Sequence, residues 1–242
     1  MSSLYLRDDL GVVEPGSRLS LTGPEAKHAA TVNRTRPGET VMVGDGRGVI
    51  ATGEVLVATS SELTVEVVSV ARTERPSPAI TLVQALAKGD RDELAVQAAT
   101  ELGVDAVVPW AAARSISRWE GAKVAKGRER WGTIVREASK QSIRAWVPTV
   151  AGLATTADVA ALCANARVLV LEPDAEVRLS TLRADDRPLV LVVGPEGGID
   201  PRELALFREA GAELVRLGAT VLRTSTAGPA ALAVLNASLG RW

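Results

Sequence analysis

The 242-residue chain is poor in the residues that build covalent or metal-bound frameworks. It has one cysteine, Cys163, and one histidine, His28. A lone cysteine forms no internal disulfide, and without a Cys/His cluster there is nothing to hold zinc. No apolar run approaches the roughly 18 residues that a spanning helix needs, which argues against a membrane protein. The amino terminus, Met-Ser-Ser-Leu-Tyr-Leu-Arg-Asp-Asp, lacks an apolar signal core and turns acidic early. A soluble cytoplasmic protein without metal is expected. Net charge is −1, so the molecule as a whole does not attract polyanions, and any such partner has to be read from local patches. Internal repeats and low-complexity segments are also absent.

What is present is a chain 46% hydrophobic, long enough for one large domain or two small ones. Residues 1–72 read as β-rich. Thr40–Gly44, Val49–Ala58 and Leu63–Ala71 are rich in β-branched residues, with turns at Arg36-Pro37-Gly38, Asp45-Gly46 and Ser60-Ser61 between them. Strands at this spacing predict a small barrel, interrupted by one helix over Pro24–Arg34. His28 on that helix reads as a surface or packing histidine. The polar, proline-bearing stretch Arg72–Pro78 separates this part from residues 78–242. There strands and helices alternate, the mark of a mostly parallel α/β sheet. Strands are expected at 80–86, 106–110, 168–171, 189–193 and 214–217, and helices at 90–102, 128–145, 156–164, 201–210 and 227–239, the last apolar almost all round from Pro229 on. The helix at 90–102 is read with Leu94, Ala98 and Leu102 as its apolar stripe.

Two loops carry the chemistry. Leu189–Val193 is an apolar run that reads as a strand buried on both faces. It ends at Gly194-Pro195-Glu196-Gly197-Gly198-Ile199. Asp200-Pro201-Arg202-Glu203 then has the form of a helix start, with a cap, proline at the first helical position and a glutamate three residues after the cap. A glycine loop leaving the carboxyl end of a buried strand is where open α/β sheets bind small ligands, although a tight strand-to-helix turn uses the same residues. It is neither G-x-G-x-x-G nor followed by Gly-Lys-Ser/Thr, which disfavours dinucleotide and Walker-type sites. The second loop, Leu217–Gly228, puts Val221 and Leu222 where polar residues would be usual, so they are expected to wall a pocket. Arg223, Thr224 and Thr226 follow at a helix start.

Residues 114–144 carry nine basic side chains against three acidic ones, with Trp119, Trp131 and Trp146 in or beside them. Basic residues interleaved with aromatics suit nucleic acid; a solvated helix face over buried tryptophans would look the same. The net acidity of the rest of the chain favours nucleic acid. Glu137, Gln141 and Arg144 are spaced to share one helical face.

The two loops together, Gly194-Pro-Glu-Gly-Gly198 and Leu217-Gly-x-x-Val-Leu-Arg-Thr-x-Thr-Ala227, resemble the SPOUT methyltransferases. More closely, they resemble the family that methylates N3 of a uridine in small-subunit (16S) ribosomal RNA. Lys88-Gly-Asp-Arg91, Thr100-Glu-Leu-Gly-Val104, Glu137-Ala-x-x-Gln-Ser-x-Arg144, His28–Arg34 and Arg36-Pro-Gly-Glu39 extend the likeness over nearly the whole chain. Five positions depart from the family's usual pattern: Asn33 (Leu), Ile143 (Gly), Ser225 (Glu), and Gly228 and Pro229 (a plain Ala-rich helix start).

The resemblance implies a PUA-like RNA-binding β-barrel over 1–72. It implies a SPOUT α/β domain over 78–242, with a parallel sheet and a trefoil knot. It implies a homodimer with each site completed by the partner, and 16S ribosomal RNA or the small ribosomal subunit as substrate. S-adenosylmethionine would be the cofactor, held by Leu171, Glu172, Gly194, Pro195, Glu196, Gly197, Gly198, Ile199, Leu217, Gly218, Val221, Leu222, Thr224, Thr226 and Ala227. Arg144 is the first candidate to stabilise charge on the uracil and Arg223 the second, with Glu137 as the possible proton acceptor. Arg34, Arg36, Arg114, Arg128, Arg130 and Gln141 would meet RNA. A SPOUT enzyme acting on transfer RNA or a ribose hydroxyl, and a non-catalytic ribosome-assembly factor, are the alternatives.

Overall fold

In the computed structural model, which describes residues 3–183 and 185–242, alternation of apolar residues shapes the amino-terminal sheet. Leu63, Val65 and Val67 of one strand and Leu19 and Leu21 of another are buried, while the residues between them face outward. Strands β1 (Leu4–Leu6), β2 (Arg18–Thr22), β3 (Thr40–Gly44), β4 (Val49–Ala58) and β5 (Glu62–Arg72) form a five-stranded sheet in the order β1-β3-β4-β5-β2. All pairings are antiparallel except β1 with β3. Register shifts at Thr52/Gly53 and Val55/Val57 curl the long β4–β5 pair. Gly53 permits the first of them, since a Cβ there would lie 2.3 Å from the Glu66 carbonyl oxygen.

Helix α1 (Gly23–Thr31) closes one side of this sheet and stops earlier than the sequence pattern predicts. The amides of Val32 and Asn33 both turn back to the His28 carbonyl, and Arg34 takes a left-handed backbone at φ 53°. Asn33 Nδ2 donates to the Tyr5 hydroxyl, which in turn bonds Thr35 Oγ1, both at 2.9 Å. Strands β1 and β2 were not anticipated, because three and five residues are too few to show a clear period.

Residues 139–147 pack with this first unit, residues 1–75, although the sequence reading assigns them to the second domain. The attachment is backbone-led. Gly48 N donates to the Ala145 carbonyl at 2.9 Å, and Val147 N to the Gly46 carbonyl at 3.0 Å. Trp146 Nε1 donates to the Thr73 carbonyl at 2.8 Å, and the Arg75 guanidinium lies 4.7 Å from the Trp146 ring centroid. Lys140 Nζ meets Glu25 Oε1 at 3.1 Å in a buried pair. None of these contacts has a local sequence signal.

The second unit, residues 76–138 and 148–242, is an α/β layer structure. Its strands are β6 (Ile80–Ala85), β7 (Ala106–Trp110), β8 (Thr149–Val150), β9 (Arg167–Leu171), β10 (Val177–Arg178), β11 (Leu189–Val193) and β12 (Glu213–Arg216). They make one seven-stranded sheet in the order β10-β12-β9-β11-β6-β7-β8, with every pairing parallel. A parallel sheet needs cover on both faces, which explains why all five residues of β11 are buried. The cover includes helices α2 (Arg91–Glu101), α4 (Thr156–Ala161), α5 (Pro201–Glu209) and α6 (Thr224–Ser238), and the long helix α3 (Ala122–Gln141) lies between β7 and β8 in the chain.

Two helices differ from expectation in ways that matter. On α2 the buried face is Asp92, Ala95, Val96, Ala99 and Thr100, while Leu94 is 50% exposed. Small residues win because α6 packs against this face, and Asn236 Nδ2 donates to the Leu102 carbonyl at 2.7 Å. Asp92 stays buried by accepting from the amides of Ala87 and Glu93, and burial raises its pKa. Helix α3 ends at Gln141, and Ile143 takes a left-handed φ of 53° before Arg144 N bonds back to the Ser139 carbonyl. Arg144 therefore lies beyond the helix, and the shared helical face expected for Glu137, Gln141 and Arg144 does not form.

Gly48 offers a test of how residues 139–147 are held. A Cβ at Gly48 would lie 2.5 Å from the Thr73 carbonyl oxygen and 2.8 Å from the Trp146 ring, whereas one at Gly38 meets nothing within 4 Å; both glycines have positive φ. Gly38→Ala is expected to cost roughly 1 kcal/mol for its backbone alone, and Gly48→Ala about 3 kcal/mol or more through the added clash. Denaturant melts of both variants check this. Equal losses would show that residues 139–147 do not depend on close approach at Gly48.

Candidate active site

The carboxyl ends of β9, β11 and β12 lie side by side in the sheet, and the loops that leave them enclose a partly open cavity of about 390 Å³. Its walls are Leu171–Pro173 after β9, Val193–Glu196 with Gly198 and Ile199 after β11, and Val215–Gly218 with Thr220–Thr224 after β12, joined by Arg91 and Ala227. The volume is that of a small-molecule or cofactor site. Every residue expected to hold the cofactor lines this cavity except Gly197 and Thr226, and Arg223 lines it too.

The glycine loop is built by short-range geometry. Pro195 O accepts from Gly198 N at 2.9 Å, which closes a turn, and Gly198 takes φ 71°. Gly194 must lack a side chain, because a Cβ there would lie 2.6 Å from Ile199 Cγ1. The helix start reads as anticipated. Asp200 Oδ1 accepts from Arg202 N at 2.9 Å, and Glu203 Oε2 accepts from Asp200 N at 3.2 Å, with Pro201 as the first helical residue.

Polar anchors fix the loop on two sides. Glu196 Oε1 accepts from Lys88 N and from Arg91 Nη1, each at 3.0 Å. Partial burial opposes its ionisation, but backbone donors, its own and that of Lys88, together with Arg91 outweigh this and hold its pKa below the usual glutamate value. Arg114 Nη1 donates to the Gly197 carbonyl at 3.2 Å, and its Nε stands 3.4 Å from Asp200 Oδ2. Glu203 is buried, and its Oε1 accepts from Ala113 N at 2.9 Å and Thr156 Oγ1 at 2.6 Å. Arg114, read from the sequence as an RNA contact, reaches the ligand loop, and its side chain stays 45% exposed.

The second loop is tied to the first through Thr224. Its hydroxyl donates to the Gly194 carbonyl and accepts from Gln84 Nε2, both at 2.8 Å. Helix α6 begins here, earlier than expected, because the amides of Thr226 and Ala227 both bond the Arg223 carbonyl and so make a helical turn ahead of Pro229. Gly228 lets α6 sit close to the sheet, with a Cβ at that position only 3.1 Å from Leu82 Cδ1.

The other expected site residues are not among those that line the cavity. Gln141 and Arg144 belong to the first unit, and Glu137 lies on α3. Arg34 and Arg36 are exposed after α1. Arg128 Nε donates to the Val150 carbonyl at 3.2 Å, and Arg130 makes a two-pronged contact with Glu93 Oε2 at 2.9 and 3.1 Å. Sequence reasoning left Arg91, Val193, Val215 and Arg216 unassigned, although all line the cavity. Only Arg91 had a signal, as the last residue of Lys88-Gly-Asp-Arg91.

Comparison with known proteins agrees with this architecture. Residues 73–236 match the model of an RNA methyltransferase domain, and residues 21–68 match that of an RNA methyltransferase PUA domain. The ribosomal RNA small subunit methyltransferase E of Mycobacterium bovis is 44% identical over 95% of this chain and 90% of its own. The protein of that name from Bacillus subtilis is 29% identical over 93% and 91%. The crystal structure of the Neisseria gonorrhoeae methyltransferase E bound to S-adenosyl methionine superposes with a TM-score of 0.86 at 30% identity, covering 98% of both chains. A putative methyltransferase of Legionella pneumophila in complex with the same cofactor gives 0.84 at 27% identity, again covering 98% of each. The chain is a member of the ribosomal RNA small subunit methyltransferase E family, an RNA methyltransferase domain joined to a PUA domain.

Proposed function

We propose that the chain is an S-adenosylmethionine-dependent methyltransferase that methylates N3 of a uridine in 16S ribosomal RNA. The observation that carries this reading is the cavity at the ends of β9, β11 and β12, in a fold shared with relatives whose crystal structures contain that cofactor. The wall suits the cofactor chemically. Leu171, Val193, Ile199, Leu217 and Leu222 offer apolar surface for an adenine, and Gly194, Gly198 and Gly218 leave backbone groups uncovered.

The bound cofactor supplies an electrophilic methyl group on a sulfonium sulfur. The chain's part is to hold the uracil against it and to favour loss of the N3 proton, since the uridinate is the better nucleophile. Arg223, at the cavity wall, is assigned to the negative charge that grows on a uracil carbonyl oxygen. Arg144 and Glu137 are assigned to the RNA side, Arg144 to the same charge and Glu137 to the departing proton. Exposed cations of the basic stretch, with Arg34 and Arg36 of the PUA-like unit, supply phosphate contacts. Arg128 and Arg130 are exposed despite their internal partners and can serve there too.

The same reading includes a homodimer, a trefoil knot in the segments around the cavity, and a cytoplasmic location beside the ribosome. The outer side of α6 supports the dimer. Ala230, Ala233 and Val234 are only half-buried, and Leu94 stands exposed on the neighbouring helix. Light scattering at micromolar concentration should give twice the chain mass; a stable monomer would refute the dimer.

A Cβ at Gly218 meets no atom within 4 Å, and its φ is not positive, so a side chain there is tolerated by the fold. Gly218→Val is therefore expected to weaken cofactor affinity by about tenfold or more by crowding the cavity, with an unchanged melting temperature. Arg223→Ala and Arg144→Ala should instead spare cofactor affinity and slow single-turnover methylation by about a hundredfold. Calorimetric titration and single-turnover assays separate the two classes. Unchanged affinity in Gly218→Val, or normal rates in both arginine variants, would contradict these roles.

A further inference from the structure

Five charged side chains line the cavity: Arg91, Glu172, Glu196, Arg216 and Arg223. Arg91 and Glu196 satisfy each other at 3.0 Å. Arg223 is exposed on the rim. Arg216 is different. It is the last residue of β12, half-buried, and its Nε is shut off from solvent without a hydrogen-bond partner among the described residues. No carboxylate pairs with its guanidinium there either, although Glu172 stands on the adjacent strand end, where its amide bonds the Val215 carbonyl at 2.9 Å.

A buried guanidinium donor without an acceptor is costly, and native structures seldom leave one so. A ligand that brings an acceptor into the cavity removes that cost. Because the unpaired nitrogen is closed to a water-sized sphere, the guanidinium has to turn toward an acceptor to reach it, and an anion gains most from that turn because it makes a charge-assisted bond. Resting on the cofactor reading above, we infer that Arg216 holds the carboxylate of the methionine arm of S-adenosylmethionine. It thereby distinguishes the intact cofactor from analogues that lack that group. An RNA phosphate is the other source of an anion, but a polymer backbone fits poorly against a nitrogen enclosed within the cavity wall.

The test compares binding of S-adenosylmethionine with that of its decarboxylated analogue, by calorimetry, in the wild type and in Arg216→Met. The wild type should prefer the intact cofactor by about tenfold or more, the usual size of a charge-assisted hydrogen bond. Arg216→Met should bind both with the affinity that the wild type shows for the decarboxylated compound, and Arg216→Lys should recover part of the preference. Arg216→Gln gives the same readout if the methionine variant does not fold. The assignment is overturned if Arg216→Met loses the same factor for both compounds, if it keeps the preference, or if only RNA affinity falls. Should Arg223→Met abolish the preference instead, the carboxylate belongs to Arg223. Failure of the wild type to bind either compound would overturn the cofactor reading itself, and this inference with it.

Discussion

The parallel alignment of β12, β9 and β11 is the constraint on which the site depends. Three neighbouring strands that run the same way end at the same edge, so three loops far apart in sequence open into one space. Burial of the sheet on both faces fixes the register, because a slip would carry apolar side chains into the wrong layer. Once the strand ends are set, short-range chemistry finishes the wall. Gly194 and Gly198 let the first loop fold tightly. Glu196, Arg114 and Glu203 pin it to the loops after β6 and β7, and Thr224 ties it to the second loop. The cavity is thus framed by rigid elements and held by polar contacts, several of them made by side chains of its own wall.

Much of this was legible in the sequence because its causes are local. An apolar pentad, a glycine loop, a capping box and a proline at the first helical position are short-range signals, and β11, the 194–199 loop and α5 appear where they predict. The second loop was legible for a similar reason, since apolar Val221 and Leu222 in a loop need a purpose. Long-range causes were not. The buried face of α2 is set by α6, which needs Ala95 and Ala99 rather than Leu94. The return of residues 139–147 to the amino-terminal unit depends on Gly48, Thr73 and Glu25, all far away in sequence. Arg144 left its expected helical face because α3 ends three residues earlier, with Ile143 in a backbone conformation that glycine adopts more cheaply. Arg216 had no signal at all, since only the fold brings the end of β12 to the cavity.

The basic stretch shows how a composition signal divides once side chains are placed. Arg114 braces the ligand loop, Arg130 pairs with Glu93, and Arg128 reaches a backbone carbonyl. An arginine that donates internally still presents charge to solvent, so an attractive field for phosphate survives. The contribution of each residue to RNA affinity then depends on how much of its pairing must be given up, and the count of basic residues does not reveal this.

The central claim is that this chain places a methyl group on N3 of a uridine in 16S ribosomal RNA. Mass spectrometry of ribosomal RNA from cells lacking the protein, beside cells that carry it, tests this most directly. The account predicts loss of one 3-methyluridine from the small-subunit RNA and its return when the gene is restored. An unchanged set of modified nucleotides in that RNA, or the loss of a ribose or transfer RNA methyl group in its place, would contradict it.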